Sequence, residues 1–401
     1  MKAAFVAWGN PLDIHFASGT PYHILKMLKN SSFDTRVVPV DGIVNQAPEQ
    51  SMAEWEGEAF RSNSIAGWAK LRFKEACYNK LTSKTYMRGF DPLLMAWRAG
   101  LVEKQLAKTA HDLVFTWSNH VTPYLKTDKP LVFWNDYTFA GYMDIYPPFA
   151  GLCRETINHG HRAEELTLSK CSLAIYSSDW AAQTAVDNYA VDPGKVIVVP
   201  FGPNLECNRS RKDIEVLTDN KNFDLCKLLF IGVDWHTKGG DVALAVAEQL
   251  NRRGLKTELN LVGPNPPPDL PGYVKTHGFI SKKSELGRRS LEKLYSEAHF
   301  LIVPSRNECF GIVFAEASSF GLPSLATNVG GIPTAIKDGV NGWAFPAGAE
   351  ADLYCDCIEK LMSSKQDYRR LALSSFNEYQ TRLNWSVSGR IIENQIRGRC
   401  S

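Results

Sequence analysis

One pattern restricts this chain more than any other: short apolar runs alternate with amphipathic segments, and the alternation occurs twice. In the first half, residues 2–8 (KAAFVAW), 36–40 (RVVPV), 113–117 (LVFTW), 130–134 (PLVFW), 173–176 (LAIY) and 195–200 (KVIVVP) read as strands. A polar, charged stretch at 204–224 interrupts the rhythm. It restarts with 228–232 (LLFIG), 257–262 (TELNLV), 274–278 (VKTHG), 299–303 (HFLIV), 324–326 (SLA) and 342–345 (GWAF). Strands that are apolar on both faces belong in parallel sheets covered by helices on both sides. Two such series in 401 residues predict an α/β protein of two doubly wound domains facing a central cleft, at 1–204 and 222–382, with the polar stretch as linker.

Composition removes several classes of function. The net charge is +2, so overall charge gives no reason to expect nucleic acid as a partner. Nine cysteines without a framework read as reduced thiols, which predicts a cytoplasmic protein. Cys355 and Cys357 have no second pair at zinc-ligand spacing, so no metal site is expected. The apolar run at the N-terminus is a first strand and not a signal peptide, and no stretch reaches the ~18 apolar residues of a membrane span. Residues 53–110 read as amphipathic helix, with Lys70, Arg72, Lys74, Lys80, Lys84 and Arg88 among Trp68, Phe73, Tyr78, Tyr86 and Phe90. That mixture suits either a solvated basic face or a peripheral contact with the anionic inner face of a membrane.

Candidate chemistry gathers where strands end. The strand at 299–303 runs into a polar turn carrying Glu308, and Phe310-Gly311 opens a short helix that carries Glu316. The first amides of that helix, at 311–313, make a seat for an anion. A carboxylate on each side of an anion seat suits a ligand with phosphate in the middle and hydroxyls at both ends, namely a nucleotide-sugar. The plain alternative is a capping glutamate and a solvated one. Lys238, before Gly239-Gly240, is a cation at a strand's carboxyl edge that suits leaving-group diphosphate, or else an ordinary loop lysine. Gly278-Phe279-Ile280 offers backbone and an apolar cover for a base. In the first half, Gly19 lies at a strand-to-helix turn in which Thr20 and Pro21 read as N-cap and first helical residue. His23, His120 and Asp136 lie at or near carboxyl ends of first-half elements, where ligands of open α/β sheets sit.

The order Lys238-Gly239-Gly240, Gly278-Phe279-Ile280, Glu308-x7-Glu316 and Val329-Gly330-Gly331-Ile332-Pro333 resembles the second domain of retaining glycosyltransferase family 4, the group 1 glycosyltransferases of GT-B fold. The likeness runs from about 227 to 345; in the first half, Ser18-Gly19 and Val199-Pro200-Phe201-Gly202 are looser matches. The resemblance implies transfer of a sugar from a UDP- or GDP-linked donor to a hydroxyl of a glycan or lipid-linked glycan, as in cell-surface polysaccharide synthesis, with configuration retained and no cofactor or metal. By carry-over, Glu308 holds the donor sugar, Glu316 the ribose, and Lys238 the diphosphate. The backbone from Phe310 through Gly311 and Ile312 to Val313 holds sugar and diphosphate, while the residue reading leaves Phe279 or Ile280 to cover the base. It also implies a C-terminal helix, about 383–401, returning to the first domain. Two positions depart from the family pattern. Val233, after the strand-ending Gly232, stands where an arginine is usual, which makes Arg306 or His236 the replacement cation. Asn135-Asp136 stands where a histidine is usual, which places Asp136 near the reacting carbon. Two rival readings are a nucleotide-sugar epimerase of the same fold and a catalytically silent nucleotide-sugar-binding protein.

Overall fold

A computed structural model describes residues 1–7, 9–39, 60–61, 64–146, 149 and 151–400, with Pro39 and Cys400 by their backbones alone. The chain divides into two compact units, Met1–Val199 with Gly389–Ser401, and Pro200–Ser388.

Unit 1 is built on β1 (Lys2–Ala7), β2 (Asp34–Pro39), β3 (Leu113–Thr116), β4 (Leu131–Asn135), β5 (Leu173–Tyr176) and β6 (Val196–Val198). They form one parallel sheet in the order β2-β1-β3-β4-β5-β6. Unit 2 carries β7 (Cys226–Ile231), β8 (Thr257–Val262), β9 (Val274–Thr276), β10 (Phe300–Val303), β11 (Ser324–Thr327) and β12 (Gly342–Phe345). These too are all parallel, in the order β12-β11-β10-β7-β8-β9. The apolar runs are strands because both faces are covered: Phe5, Phe115, Phe133, Leu229, Phe230, Leu301 and Ile302 are all fully buried. The expected strands occur at their places, with ends displaced by up to two residues. Trp8 and Val40 lie outside the described residues.

Strand order identifies the crevices. In unit 2 the chain winds outward on one side of β7 through β8 and β9, then on the other through β10, β11 and β12. The winding reverses between β7 and β10, and the loops leaving those two strands form the ligand-binding edge of such a sheet. In unit 1 the reversal falls between β1 and β3.

Helix starts follow their side chains. Ser64, Thr138, Ser178, Ser284 and Ser364 each accept a hydrogen bond from the amide three residues on, closing an orphan donor of the first turn. Thr20 corrects the expected pattern. It is the first helical residue of Thr20–Lys29, and the cap is Gly19, at φ 85°. Ala17 and Ser18 are left-handed as well, so the turn is tighter than a threonine cap allows.

The polar stretch at 204–224 is not a linker. It lies within unit 2, and Ser210 and Asp213 form a capping box that starts the helix Arg211–Asp219. Ile214, fully buried, packs with Leu373, Phe376 and Tyr379, with Leu217 beside them. Two apolar residues at helical spacing suffice to seat a short helix, and a search for apolar runs overlooks them. Of the expected helical region 53–110, the described part holds Ile65–Leu81 and Pro92–Leu106. The last helix, Trp385–Cys400, begins in unit 2 and ends in unit 1. Trp385 donates to the carbonyl of Pro203 at 2.8 Å and Ser388 to that of Pro200 at 2.7 Å. Beyond them, Gly389 lies against Met27, and Arg397 and Arg399 donate to Ser32 and to the carbonyl of Gly194.

Candidate functional site

The loops after β7 and β10 are bound together. Asp234 accepts from the Thr237 amide, and the amides of Lys238, Gly239 and Gly240 donate to the carbonyls of Asp234, His236 and Trp235, which winds 234–240 into a compact turn. The hydrogen bonds from Thr237 hold the Asp234 carboxyl below its ordinary range. Gly239, at φ 74°, has no room for a side chain: a Cβ there would lie 2.1 Å from the Pro304 carbonyl oxygen. Arg306 completes the join. Its guanidinium grips Asp241 with both arms, at 2.9 and 2.7 Å, and donates to the His236 carbonyl at 2.6 Å. That bidentate bond lowers the Asp241 carboxyl. Arg306, expected as a donor-site cation, therefore has its charge matched by Asp241, and it acts as a clamp between the two loops. His236 is exposed, and Val233 is 73% exposed.

Inside this frame Lys238 and Glu308 meet. The ammonium lies 2.7 Å from the carboxylate, with the two side chains 21% and 14% exposed. The lysine stem crosses Gly232, where a Cβ would stand 2.8 Å from Lys238 Cγ. Glu308 is fixed from a second direction, since its carbonyl accepts from the Gly331 amide at 3.1 Å, within the Val329–Pro333 motif. The helix Ile312–Ser318 starts at Gly311, at φ 83°, where a Cβ would meet the Phe314 ring at 2.4 Å and Glu308 Cγ at 3.3 Å. Phe310 is buried against Phe201, while Ile312 and Val313 are half-buried. In the first turn of the short helix the Phe314 amide donates to the Gly311 carbonyl at 3.0 Å.

Glu316 has the surroundings that sequence reasoning missed. It is 1% exposed; Lys282 donates to Oε1 and the Tyr295 hydroxyl to Oε2, the latter at 2.8 Å. It is neither a cap nor a solvated residue. Lys282 follows Gly278-Phe279-Ile280 in the same loop, where Gly278 sits at φ 61° and Phe279 is 66% exposed. Nothing in the string Ser281-Lys282-Lys283-Ser284 separates one lysine from the other; only the turn into the helix Glu285–Glu297 aims Lys282 inward.

The remaining candidates belong to unit 1. Gly19 is a buried cap beyond β1, and Asp136 is half-buried directly after β4, its amide bonded to the Asn135 side chain at 2.8 Å. His23 is 6% exposed in the Thr20–Lys29 helix. His120 packs on Phe90, and burial, with the Arg98 charge adding to it, pushes its imidazole down to about 3, so it is neutral at physiological pH. A buried group not anticipated from sequence is Glu164, to which Asn119 donates at 2.6 Å and Tyr176 at 3.3 Å; burial pushes its carboxyl up to about 7. Among the described residues, Asp91, Glu155 and His159 offer ligand atoms within 4.8 Å of one another. The Lys74 ammonium already bonds both carboxylates, supplying the cation that such a cluster attracts. Cys355 is buried in the unit 2 core, and burial pushes its thiol up to about 11.

The chain is similar to several known proteins. Residues 226–364 match the family model described as Glycosyl transferases group 1. D-inositol 3-phosphate glycosyltransferases are similar in sequence. That of Actinosynnema mirum is 30% identical over 217 residues, 49% of this chain and 51% of the relative. That of Thermomonospora curvata is 29% identical over 251 residues, 57% and 58% of the two chains. The chain thus spans about half the length of the curated relatives it matches. Among solved structures, sucrose-phosphate synthase from Thermosynechococcus elongatus aligns over 99% of both chains with a TM-score of 0.68 at 15% identity. Anabaena HepE in complex with UDP-glucose aligns over 99% of this chain and 100% of its own, with a TM-score of 0.61 at 16% identity. The fold is that of the GT-B glycosyltransferases.

Proposed function

We propose, for a chain whose residues 226–364 are of the group 1 glycosyl transferase family, that it transfers a sugar from a nucleotide-sugar to a hydroxyl acceptor with retention of configuration. The observation that carries this reading is the Lys238–Glu308 pair, set at the loops of β7 and β10 where the sheet reverses. A cation and a carboxylate side by side match the two ends of the bond to be broken. The Lys238 ammonium and the amides of Gly311 to Val313 stabilise charge on the diphosphate, and Glu308 accepts hydrogen bonds from the sugar hydroxyls. The bond between the anomeric carbon and diphosphate oxygen breaks, and its electron pair leaves with the nucleotide. The acceptor oxygen bonds to the same face of that carbon and passes its proton to the departing diphosphate. No carboxylate nucleophile is needed, and Glu316 serves the ribose. Phe279 and Ile280 cover the base, and Asp136 contributes from the acceptor side. Arg306 makes no direct contact with the donor on this reading. The leaving-group charge is met without a metal.

The acceptor is a glycan or lipid-linked glycan hydroxyl. The helix Ile65–Leu81 supports a peripheral contact with anionic membrane: Ile65, Phe73 and Leu81 are 74%, 69% and 79% exposed, beside exposed Lys70, Arg72 and Lys80. No helix of the described residues is long and apolar enough to cross a membrane. The decisive experiment incubates the protein with labelled UDP- and GDP-sugars, a panel of hydroxyl acceptors that includes D-inositol 3-phosphate, and a chelator in parallel. Acceptor-dependent, chelator-resistant transfer with the anomeric configuration retained supports the proposal. An isomerised donor points instead to an epimerase, and binding without turnover to a silent nucleotide-sugar-binding protein. Salt-sensitive co-sedimentation with anionic vesicles tests the membrane contact.

A further inference from the structure

We infer that Lys282 and Tyr295 are positioning residues for ribose recognition, orienting the buried Glu316 carboxylate so that its remaining lone pairs accept the two vicinal hydroxyls. The inference rests on the donor reading above and adds the residues that make it specific. Glu316 is 1% exposed, and a carboxylate that deep is costly unless it is paired and hydrogen-bonded. Each oxygen holds one donor, Oε1 the Lys282 ammonium and Oε2 the Tyr295 hydroxyl. An ionised carboxylate accepts about four hydrogen bonds, which leaves one site on each oxygen for a hydroxyl pair.

Neither donor is loosely held. Tyr295 is itself 1% exposed and stacks on Phe320, with ring centroids 4.9 Å apart and planes at 17°. The backbone of Lys282 is pinned by Arg288, which donates to the carbonyls of Lys282 and Lys283 at 3.0 Å each. Gly287 permits that turn: a Cβ there would stand 2.0 Å from the Ser281 carbonyl oxygen. The Lys282 side chain, 21% exposed, reaches from this loop to a residue 34 positions away. The same loop carries Gly278-Phe279-Ile280, so one segment both covers the base and sets the carboxylate that reads the sugar beside it.

Isothermal titration with UDP against 2′-deoxy-UDP, and GDP against 2′-deoxy-GDP, tests this. Wild type is expected to prefer the ribonucleotide by about tenfold to a hundredfold, the change carried by one hydrogen bond to a charged group. Lys282→Met brings that ratio toward one while affinity for the deoxy analogue changes little, and Lys282→Arg preserves the ratio. Tyr295→Phe, which keeps the stack on Phe320, lowers it in part and serves as the test where Lys282→Met fails to fold. General damage to the site weakens both nucleotides equally and leaves the ratio intact. A wild-type ratio that survives both Lys282→Met and Tyr295→Phe overturns this inference alone. A wild-type chain that binds neither nucleotide overturns the donor reading and the inference with it, and a wild-type ratio near one removes the ribose role of Glu316.

Discussion

Lys238 and Glu308 form an ion pair at 2.7 Å, so removing either also changes the surroundings of the other. Glu308→Ala removes one carboxylate partner of Lys238 and deletes the sugar contact. Its expected signature is nucleotide affinity kept or improved and turnover lowered about tenfold to a hundredfold. Glu316→Ala should do the reverse and weaken nucleotide binding first; steady-state kinetics beside calorimetry separate the two, and unchanged nucleotide affinity in Glu316→Ala would remove its ribose role. Gly232→Ala is a subtler test, because its new methyl would stand 2.8 Å from Lys238 Cγ and push the ammonium off Glu308. The expected result is a normal far-ultraviolet spectrum and melting temperature with turnover down about a hundredfold, the scale of a ~1 Å misplacement; wild-type turnover would show that the lysine is not held by its stem. Glu308, Glu316 and Lys238 were legible from sequence because each stands at a fixed distance from glycines that mark a strand end or helix start. Lys282 and Tyr295 were not, since a lysine beside a lysine and an aromatic in an amphipathic helix carry no local mark. Their meaning comes from Glu316, found 34 and 21 positions later.

Elements join where buried polar groups meet, and in unit 1 the helix Arg154–Lys170 meets the loop after β3 and strand β5 at Glu164. Burial pushes that carboxyl up to about 7, above its ordinary value of 4.5, so the fold favours the protonated form. Its contribution to stability is then full below the ordinary carboxylate range and is lost as pH rises through about 7. Glu164→Gln carries no such loss. Its stability relative to wild type should improve from pH 5 to pH 8 by roughly 2–3 kcal/mol through linkage. Denaturant melts at the two pH values measure it, and a difference independent of pH would contradict the burial argument. Strands were the legible elements, because twelve apolar runs end in glycine, proline or polar turns. The helix Arg211–Asp219 was not, since a segment with one buried isoleucine resembles a solvated tether until Leu373, Phe376 and Tyr379 are known to face it.

For the whole molecule, the course of the chain matters more than any single contact. Unit 1 is discontinuous, made of Met1–Val199 and Gly389–Ser401, whereas unit 2 is the unbroken segment Pro200–Ser388. Ending the chain after Ser388 should therefore leave the melting of unit 2 near its normal value and lower that of unit 1, which loses the contacts at Met27, Ser32 and Gly194. Two separated calorimetric transitions are the expected result; a single unshifted one would show that the last segment adds nothing. The same course sets an order during synthesis. Residues 1–199 leave the ribosome first but wait through the whole of unit 2 for the piece that completes them. Until residues 389–401 are made, unit 1 has only the lowered stability expected of the shortened chain, and it is this nascent form that chaperones have most reason to guard.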